Sequence, residues 1–586
     1  MKLNKYTVMM VAAGFLSATS CTDFDDYNET YVDVNPSADK TLWENITSNP
    51  ELTSFVDLVK KAGFDKELQG NRYYTVWAPV NDALVNSPYF DADSAVVLER
   101  FVKNHVADYN NGAVGAIDGR IHTLNRKSIE FKGSDSSYFY SDVPVKKANV
   151  PGINGLLHTL DGVAQYYPNV YDYISLGGNG IDSVTAYFKH YEDSILDREN
   201  SIIGPIVNGK QTYIDSVMIK QNSLTELFHA NLSNEDSSYT VILPNNDAWI
   251  EACNRIKPYY KYVTTLKMQD LDNASGSTIP TIGPDVTDAT LLQQHSDSLV
   301  KMSVMSNFIY SNNSEYNKWL ENGTPSATDT LYTTRGRKLS NPADLLARTV
   351  ETEPMSNGSV IIVDSIAALP WETYVPQINV DPSRDMGRVL TGTAHSASLG
   401  VRDWMEETGF GKFDTEQIEF IWVEPSSGMA KPELDIYLPN VLSTTYDFYC
   451  VFLPAYIVNS SEVGKPNYVQ FTLNYCNDKG NLTDYKFESM VEDRPEDAKT
   501  NKNAFANDIS KADTIYMGRF KFPVAYRGLS RSDNAREQVR PNIKITSPFS
   551  QFNQNLMKKY TRDICIAAII LKPVELTEFE NKETEE

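Results

Sequence analysis

The 586-residue chain contains five cysteines, and no two of them stand in C-x-x-C spacing, which removes structural zinc and thioredoxin-like redox chemistry. Seven histidines are scattered without metal-ligand spacing, so neither a metal nor a cofactor is expected. H-E-x-x-H, G-x-S-x-G, a Walker loop and a dinucleotide fingerprint are all missing. With 77 acidic residues, carboxylate pairs are too common to nominate a glycosidase, and no catalytic residue is expected. Positive charge is scarce. The formal net charge of −24 argues against nucleic acid and against binding to anionic lipid. No apolar run approaches the ~20 residues of a spanning helix.

What is present begins with an address. Lys2 and Lys5 precede the apolar run Val8 to Leu16, and small residues lead to Cys21. This is the pattern of a secretory signal. It resembles a bacterial lipoprotein cleavage site with Cys21 as the lipidated first residue, although Ala18 stands where Leu is usual. The alternative is an ordinary signal peptide with an incidental cysteine. Asp23, Asp25 and Asp26 follow. They resemble the acidic signal that exports Bacteroidetes lipoproteins to the outer face of the outer membrane; the plain alternative is a solvated tether. The expected order starts with a signal peptide over 1–20 and an acidic tether over 21–39. The expected location is the outer membrane, lipid-anchored and facing the exterior.

The body carries a repeat. Tyr74-Thr75-Val76-Trp77-Ala78-Pro79-Val80-Asn81-Asp82-Ala83-Leu84 recurs at 239–249 with seven of eleven positions identical. Phe101 to Val106 aligns with Val304 to Ile309, and Asn154 to Asp161 with Asn357 to Asp364. The first match is offset by 165 residues and the other two by 203, so the second copy holds about 38 extra residues between its first two motifs. These fall over 257–290 and read as a long polar loop. Tyr74 to Ala78 reads as a strand ended by Pro79, with Asn81 or Asp82 capping a short helix. Leu98 to Val106 has helical spacing. Asn154-Gly155 turns into a closing strand in which period two separates His158 from Asp161. His158 therefore reads as structural.

At these motifs the chain resembles the fasciclin family, whose domains carry Ala-Pro-x-Asn-x-Ala, a helix ending near Tyr-His, and Asn-Gly-x-x-His-x-x-Asp. The resemblance implies two α+β wedges, over 40–168 and a divergent 169–376, used for adhesion or protein association. Asn104 replaces the family tyrosine, and Phe308 and Ile361 replace both histidines of the second copy. From 380 to 574, short strands with turns between them predict an antiparallel β-sandwich. The tail 575–586 is acidic and expected to be disordered. The expected fold class is α+β: two fasciclin-like domains, then the sandwich.

Beyond Cys21 stand Cys253, Cys450, Cys476 and Cys565; the last three, in apolar strand-like contexts, are expected as buried free thiols, with one disulfide left open. Trp404, Trp422, Tyr437, Tyr446, Tyr449 and Tyr456 could stack on glycan or fill a core. Tyr259, Tyr260 and Tyr262, at the start of the inserted loop, are candidate partner contacts. Asp-Ser/Thr-aliphatic tripeptides resemble Bacteroidetes O-glycosylation acceptors, with Thr330 the best placed. The expected function is non-catalytic: a surface lipoprotein working through protein contacts, as an accessory of a TonB-dependent transporter and its lid lipoprotein in glycan or peptide uptake. The alternatives are glycan binding through the C-terminal domain and adhesion through the fasciclin-like domains.

Overall fold

The computed structural model describes residues 37–585 except 135–136, 265, 270–277, 281–288, 323–328, 341, 383–387, 390–394, 404–416, 491–494, 496–500 and 530–539. Cys21, Asp23, Asp25 and Asp26 lie outside the described residues. Among those described, no helix is long and apolar enough to cross a membrane. The chain divides into two compact units. One runs to Leu176 and takes in Asn231–Tyr239 and Glu353–Val360; the other holds Gly177–Ala230, Thr240–Thr352 and Ile361–Glu586.

The first copy opens on the helix Leu42–Thr47, started by a capping box: Thr41 accepts from the Glu44 amide, and the Glu44 carboxylate accepts from the Thr41 amide. The helix Thr53–Lys61 buries Phe55, Val56, Leu58 and Val59 on one face. Strand Tyr74–Pro79 lies parallel to Gly155–Leu160 and antiparallel to Val106–Asp108. They belong to a seven-stranded sheet that continues through Val143–Gly152, Ser137–Tyr140, Ser128–Ser134 and Ile117–His122. Both strands are buried along their whole length because both sheet faces are covered. Tyr74, Val76, Ala78 and Leu157 pack with the helices, while Trp77 and Leu160 join Phe131 and Tyr140 on the other side. The expected helix over Leu98 to Val106 is not a regular α-helix: a loosely wound π-helical stretch Val97–Val102 tightens into one 3₁₀ turn Lys103–His105, and a strand starts at Val106.

The duplication is visible in shared hydrogen bonds. Asn154 Oδ1 accepts from the Leu42 amide at 2.8 Å, and its Nδ2 donates to the carbonyls of Leu68 and Gly70. Asn357 Oδ1 accepts from Val170 at 2.9 Å, and its Nδ2 donates to Leu232 and Asn234. Each asparagine thus ties an opening helix to the turn before the closing strand. The glycine after each is forced: a Cβ on Gly155 (φ +151°) would stand 2.0 Å from the Tyr74 carbonyl oxygen, and one on Gly358 (φ +138°) 1.8 Å from that of Tyr239.

The Ala-Pro-x-Asn asparagine corrects an expectation. Asn81 does not cap its own turn; its Oδ1 accepts from Ser54 at 2.9 Å, in the first turn of a helix with no cap of its own. Asn246 does the same for Ser183 at 2.8 Å. The segments after the two strands differ for a local reason. Val80 offers no capping oxygen and only the 3₁₀ turn Asn81–Leu84 forms, whereas Asn245 accepts from Ala248 and starts the eleven-residue helix Asn246–Ile256.

The second copy is larger in two places. Its opening helix is offset 128 residues from that of the first copy, judged by Val170 against Leu42, while its first motif is offset 165. The 37 further residues hold an unexpected β-hairpin, Glu192–Val207 and Lys210–Asn222. The second enlargement, 257–290, is not simply a polar loop. It starts as the 3₁₀ turn Lys257–Tyr260 and includes the paired strands Lys267–Gln269 and Thr278–Pro280, and Leu266 is fully buried.

The C-terminal region forms two antiparallel sheets. One is built on the order His395–Asp403, Gln417–Pro425, Ile564–Pro573, Thr445–Phe452, Asp513–Lys521, with Ile378–Val380 beside Ile564–Pro573. The other has the order Arg388–Val389, Glu433–Tyr437, Asn542–Thr546, Gln470–Cys476, Leu482–Lys486. Phe448, Phe452, Ile566 and Ile569 of the first share one core with Leu434, Ile436, Phe471 and Ile543 of the second. The tail is a correction: Val574–Glu585 is a helix. It is held by Lys572 on Glu580 at 2.9 Å, Arg519 on Glu578 at 3.7 Å, and the Phe579 ring 5.2 Å from Trp371.

Candidate interaction surfaces

His105 and His158 are fully enclosed, and backbone groups fix the tautomer of each ring. His105 Nδ1 donates to the Phe101 carbonyl at 2.8 Å, and its Nε2 accepts from the Ala164 amide at 3.1 Å. His158 is wired the opposite way: Nδ1 accepts from Asn149 at 3.3 Å and Nε2 donates to Asn111 at 3.1 Å. The His158 ring stacks on Trp77, 5.4 Å away at an interplanar angle of 13°. Burial lowers both imidazoles to about 4. These are neutral structural groups, as His158 was read. In the second copy Phe308 fills the place of His105 and is 3% exposed.

The three candidate contact tyrosines are taken up within the chain, which corrects their reading as a free surface. The Tyr259 hydroxyl reaches Glu575 at 3.5 Å, its ring lies 5.4 Å from Tyr374, and its carbonyl accepts from Ser443. Tyr260 is 2% exposed and bonds Ser303 at 2.7 Å. Tyr262 donates to the Arg527 carbonyl at 2.7 Å and packs on the C-terminal core, in which Leu266 and Leu292 are members. Clustered tyrosines do mark an interface here, but an internal one.

Thr330 is half-buried, and its carbonyl accepts from the Trp319 indole at 2.9 Å. Of the C-terminal aromatics, Tyr446 is buried, Trp422 donates to Asp563 at 3.1 Å, and the Arg540 guanidinium lies 5.3 Å over the Tyr437 ring. Trp404 lies outside the described residues. Cys253, Cys450, Cys476 and Cys565 are free, the last three buried, in line with the expected thiols.

The hairpin Glu192–Asn222 is the surface that sequence reading missed. Asn208 and Gly209 both take positive φ at its tip, the two-residue turn that Asn-Gly favours, so a signal was there to be read. Its two strands pair only with each other among the described residues. A lone two-stranded hairpin is at best marginal in water. This one exposes Ile203 (64%), Ile206 (70%) and Ile214 (75%), together with Ile195, Val207 and Met218. From Ser201 to Ile214 there is no acidic residue and one cation, Lys210, against a chain of net charge −24. Its root is closed by the Ser223 amide donating to the Tyr191 carbonyl at 3.2 Å.

Comparison with known proteins fits the first copy. Residues 50–165 match the Fasciclin domain family. Transforming growth factor-beta-induced protein ig-h3 of Sus scrofa is 26% identical over 129 residues, 21% of this chain and 19% of that protein. Protein sll1483 of Synechocystis is 26% identical over 129 residues, 21% of this chain and 72% of that protein. The chain thus spans about a fifth of the length of the pig relative. The solved domain pair of the insect cell adhesion molecule Fasciclin I aligns with 56% of this chain and 99% of its own at 13% identity, with a TM-score of 0.20. The first copy thus matches the Fasciclin domain family, within a chain of mixed helices and sheets.

Proposed function

We propose that this chain is a non-catalytic surface protein, lipid-anchored at Cys21 on the outer face of the outer membrane, that works through protein contacts. The hairpin Glu192–Asn222 is its principal contact. The observation that carries this reading is the hairpin itself: a two-stranded arm with exposed isoleucines and an acid-free distal half, in a strongly acidic chain. Exposed apolar clusters of this kind mark association sites, and a partner supplies the packing that the arm lacks. In its finer form the reading makes the chain an accessory subunit of a TonB-dependent nutrient-uptake complex, with the transporter and its lid lipoprotein as partners.

The arm can be tested by removal. Glu192 pairs with Asn222 and Ser223 bonds Tyr191, so residues 193–221 can be replaced by a short Gly-Ser turn without stretching the root. The shortened chain should keep its circular dichroism and melting profile. It should no longer recover envelope proteins that co-purify with the full chain from gently solubilised outer membrane. Unchanged recovery by a folded variant rejects the arm as the contact.

A further inference from the structure

The short strands Leu331–Tyr332 and Lys338–Leu339 of the second copy are joined by a tight loop. The Thr333 amide donates to the Arg337 carbonyl at 2.9 Å, and Gly336 turns the chain at φ +73°. Arg335 and Arg337 flank that glycine and Lys338 follows, so three cations fall within four residues of a chain whose net charge is −24. Arg335 and Arg337 are both half-buried. A third guanidinium arrives from the C-terminal region. Arg337 Nη1 donates to the Thr373 carbonyl at 2.5 Å, and Arg527 Nη1 to the next carbonyl, that of Tyr374, at 3.5 Å. The two stand on adjacent peptide units.

Like charges drawn out of water repel each other and are costly to desolvate unless a counter-charge is at hand. Among the described residues no carboxylate forms an ion pair with Arg335, Arg337 or Arg527, and the enclosed Arg335 Nη1 donates to nothing. Two acids of the region have other partners. Glu372 holds the Ser340 amide through one oxygen at 2.9 Å, its other oxygen being enclosed and without a donor, and Glu575 accepts from the Tyr259 hydroxyl at 3.5 Å. Burial, with Arg527 and Arg335 alongside, pushes the Arg337 guanidinium down to about 10; burial and Arg527 lower Arg335 as well. Guanidinium forks match the oxygens of carboxylates and phosphates. A carboxylate brings one charge against three, whereas a tetrahedral dianion brings two and offers oxygens in several directions, which suits guanidiniums carried by two separate elements.

We propose that Arg335, Arg337 and Arg527 form an oxyanion site for a phosphate or sulfate group, with the enclosed Arg335 Nη1 as one of its donors. The site is independent of the hairpin and of the lipid anchor.

The test is isothermal titration calorimetry on the full purified chain, at constant ionic strength, with inorganic phosphate, sulfate, methyl phosphate and acetate. Phosphate or sulfate should bind with a Kd below about 1 mM, and acetate at least about tenfold more weakly. Methyl phosphate separates the sources: comparable binding marks a phosphoryl group on a larger molecule, and its exclusion marks the free ion. Arg335→Gln and Arg337→Gln should each weaken binding roughly tenfold, the worth of a charge-assisted hydrogen bond. In phosphate-free buffer Arg335→Gln should keep or raise the melting temperature, because it relieves repulsion and removes an unpartnered donor. Arg335→Lys keeps the charge without the fork; its binding should fall between, and it carries the test if the Gln variant does not fold. Binding of neither phosphate nor sulfate overturns the proposal, as does acetate binding equally well. So does a folded Arg335 variant that binds undiminished, or a lowered melting temperature of Arg335→Gln in phosphate-free buffer, which would make the arginine a structural partner of Glu372.

Discussion

Acid should loosen the first copy and spare the second. In the folded chain each buried imidazole accepts one backbone N–H and donates to one backbone carbonyl. Protonation puts a hydrogen on the accepting nitrogen, where it faces another N–H. Burial accordingly lowers both groups from 6.5 to about 4. The sign comes from linkage: the folded value is depressed, so the stabilisation is complete above 6.5 and is lost as pH falls toward 4. At pH 5 an unfolded histidine is almost fully protonated and a folded one almost fully neutral, on the order of 2 kcal/mol per ring or about 4 for the pair. Such a loss is a large share of the ~5–15 kcal/mol that holds a domain together. Because the chain divides into two compact units, a global melting curve mixes them, and hydrogen exchange read by mass spectrometry is the better assay. Protection of the strand Gly155–Leu160 should fall by roughly a thousandfold between pH 7 and pH 5, after correction for intrinsic exchange. The strand Gly358–Val363, with Ile361 and Phe308 in place of the histidines, should change far less. The double substitution His105→Phe, His158→Ile should flatten the response of the first strand. Equal loss in both strands, or in neither, would refute the reasoning.

Three more outcomes are expected from the packing and the anchor. Gly155→Ala and Gly358→Ala should each lower the exchange protection of their own copy by several kcal/mol, since a methyl meets a carbonyl oxygen at 2.0 Å or less; mild effects would mean that the turns can rearrange. Leu266→Ala should destabilise the C-terminal core by about 3 kcal/mol, measured as urea-induced exposure of the buried Cys450 and Cys476, whereas a polar loop would lose nothing. Cys21→Ser should move the chain from membrane pellet to supernatant, and retention in the pellet at high salt would reject the lipid anchor.

The legible part of the sequence is the part that the chain repeats. Asn154-Gly155 and Asn357-Gly358 carry a backbone constraint that no other residue type meets, so the pair survives where histidines and tyrosine do not. The strand over Tyr74–Pro79 is legible because aromatic and β-branched residues run together there, and Gly155–Leu160 because Asn154-Gly155 marks the turn ahead of it. Three things escape. The tail is rich in acid, yet Phe579 and Glu580 find Trp371 and Lys572 only in three dimensions. Tyr259, Tyr260 and Tyr262 look like a free contact patch because sequence cannot say that Arg527, Ser443 and Glu575 arrive from more than 180 residues away. The hairpin is hidden although Asn208-Gly209 marks its turn, because offsets counted from the first motif onward pass over the residues added ahead of it.

Cross-linking in living cells tests the role of the arm most directly. A photoreactive phenylalanine analogue placed at Ile206, near the hairpin tip, should cross-link to a defined outer-membrane protein when the cells are irradiated. The same analogue at Val350, which is also exposed at 62% but lies in the strand Thr349–Met355, should not. One discrete adduct from position 206 alone is the predicted result. No adduct from Ile206, or the same adducts from both positions, would contradict the claim that this protein works through its hairpin.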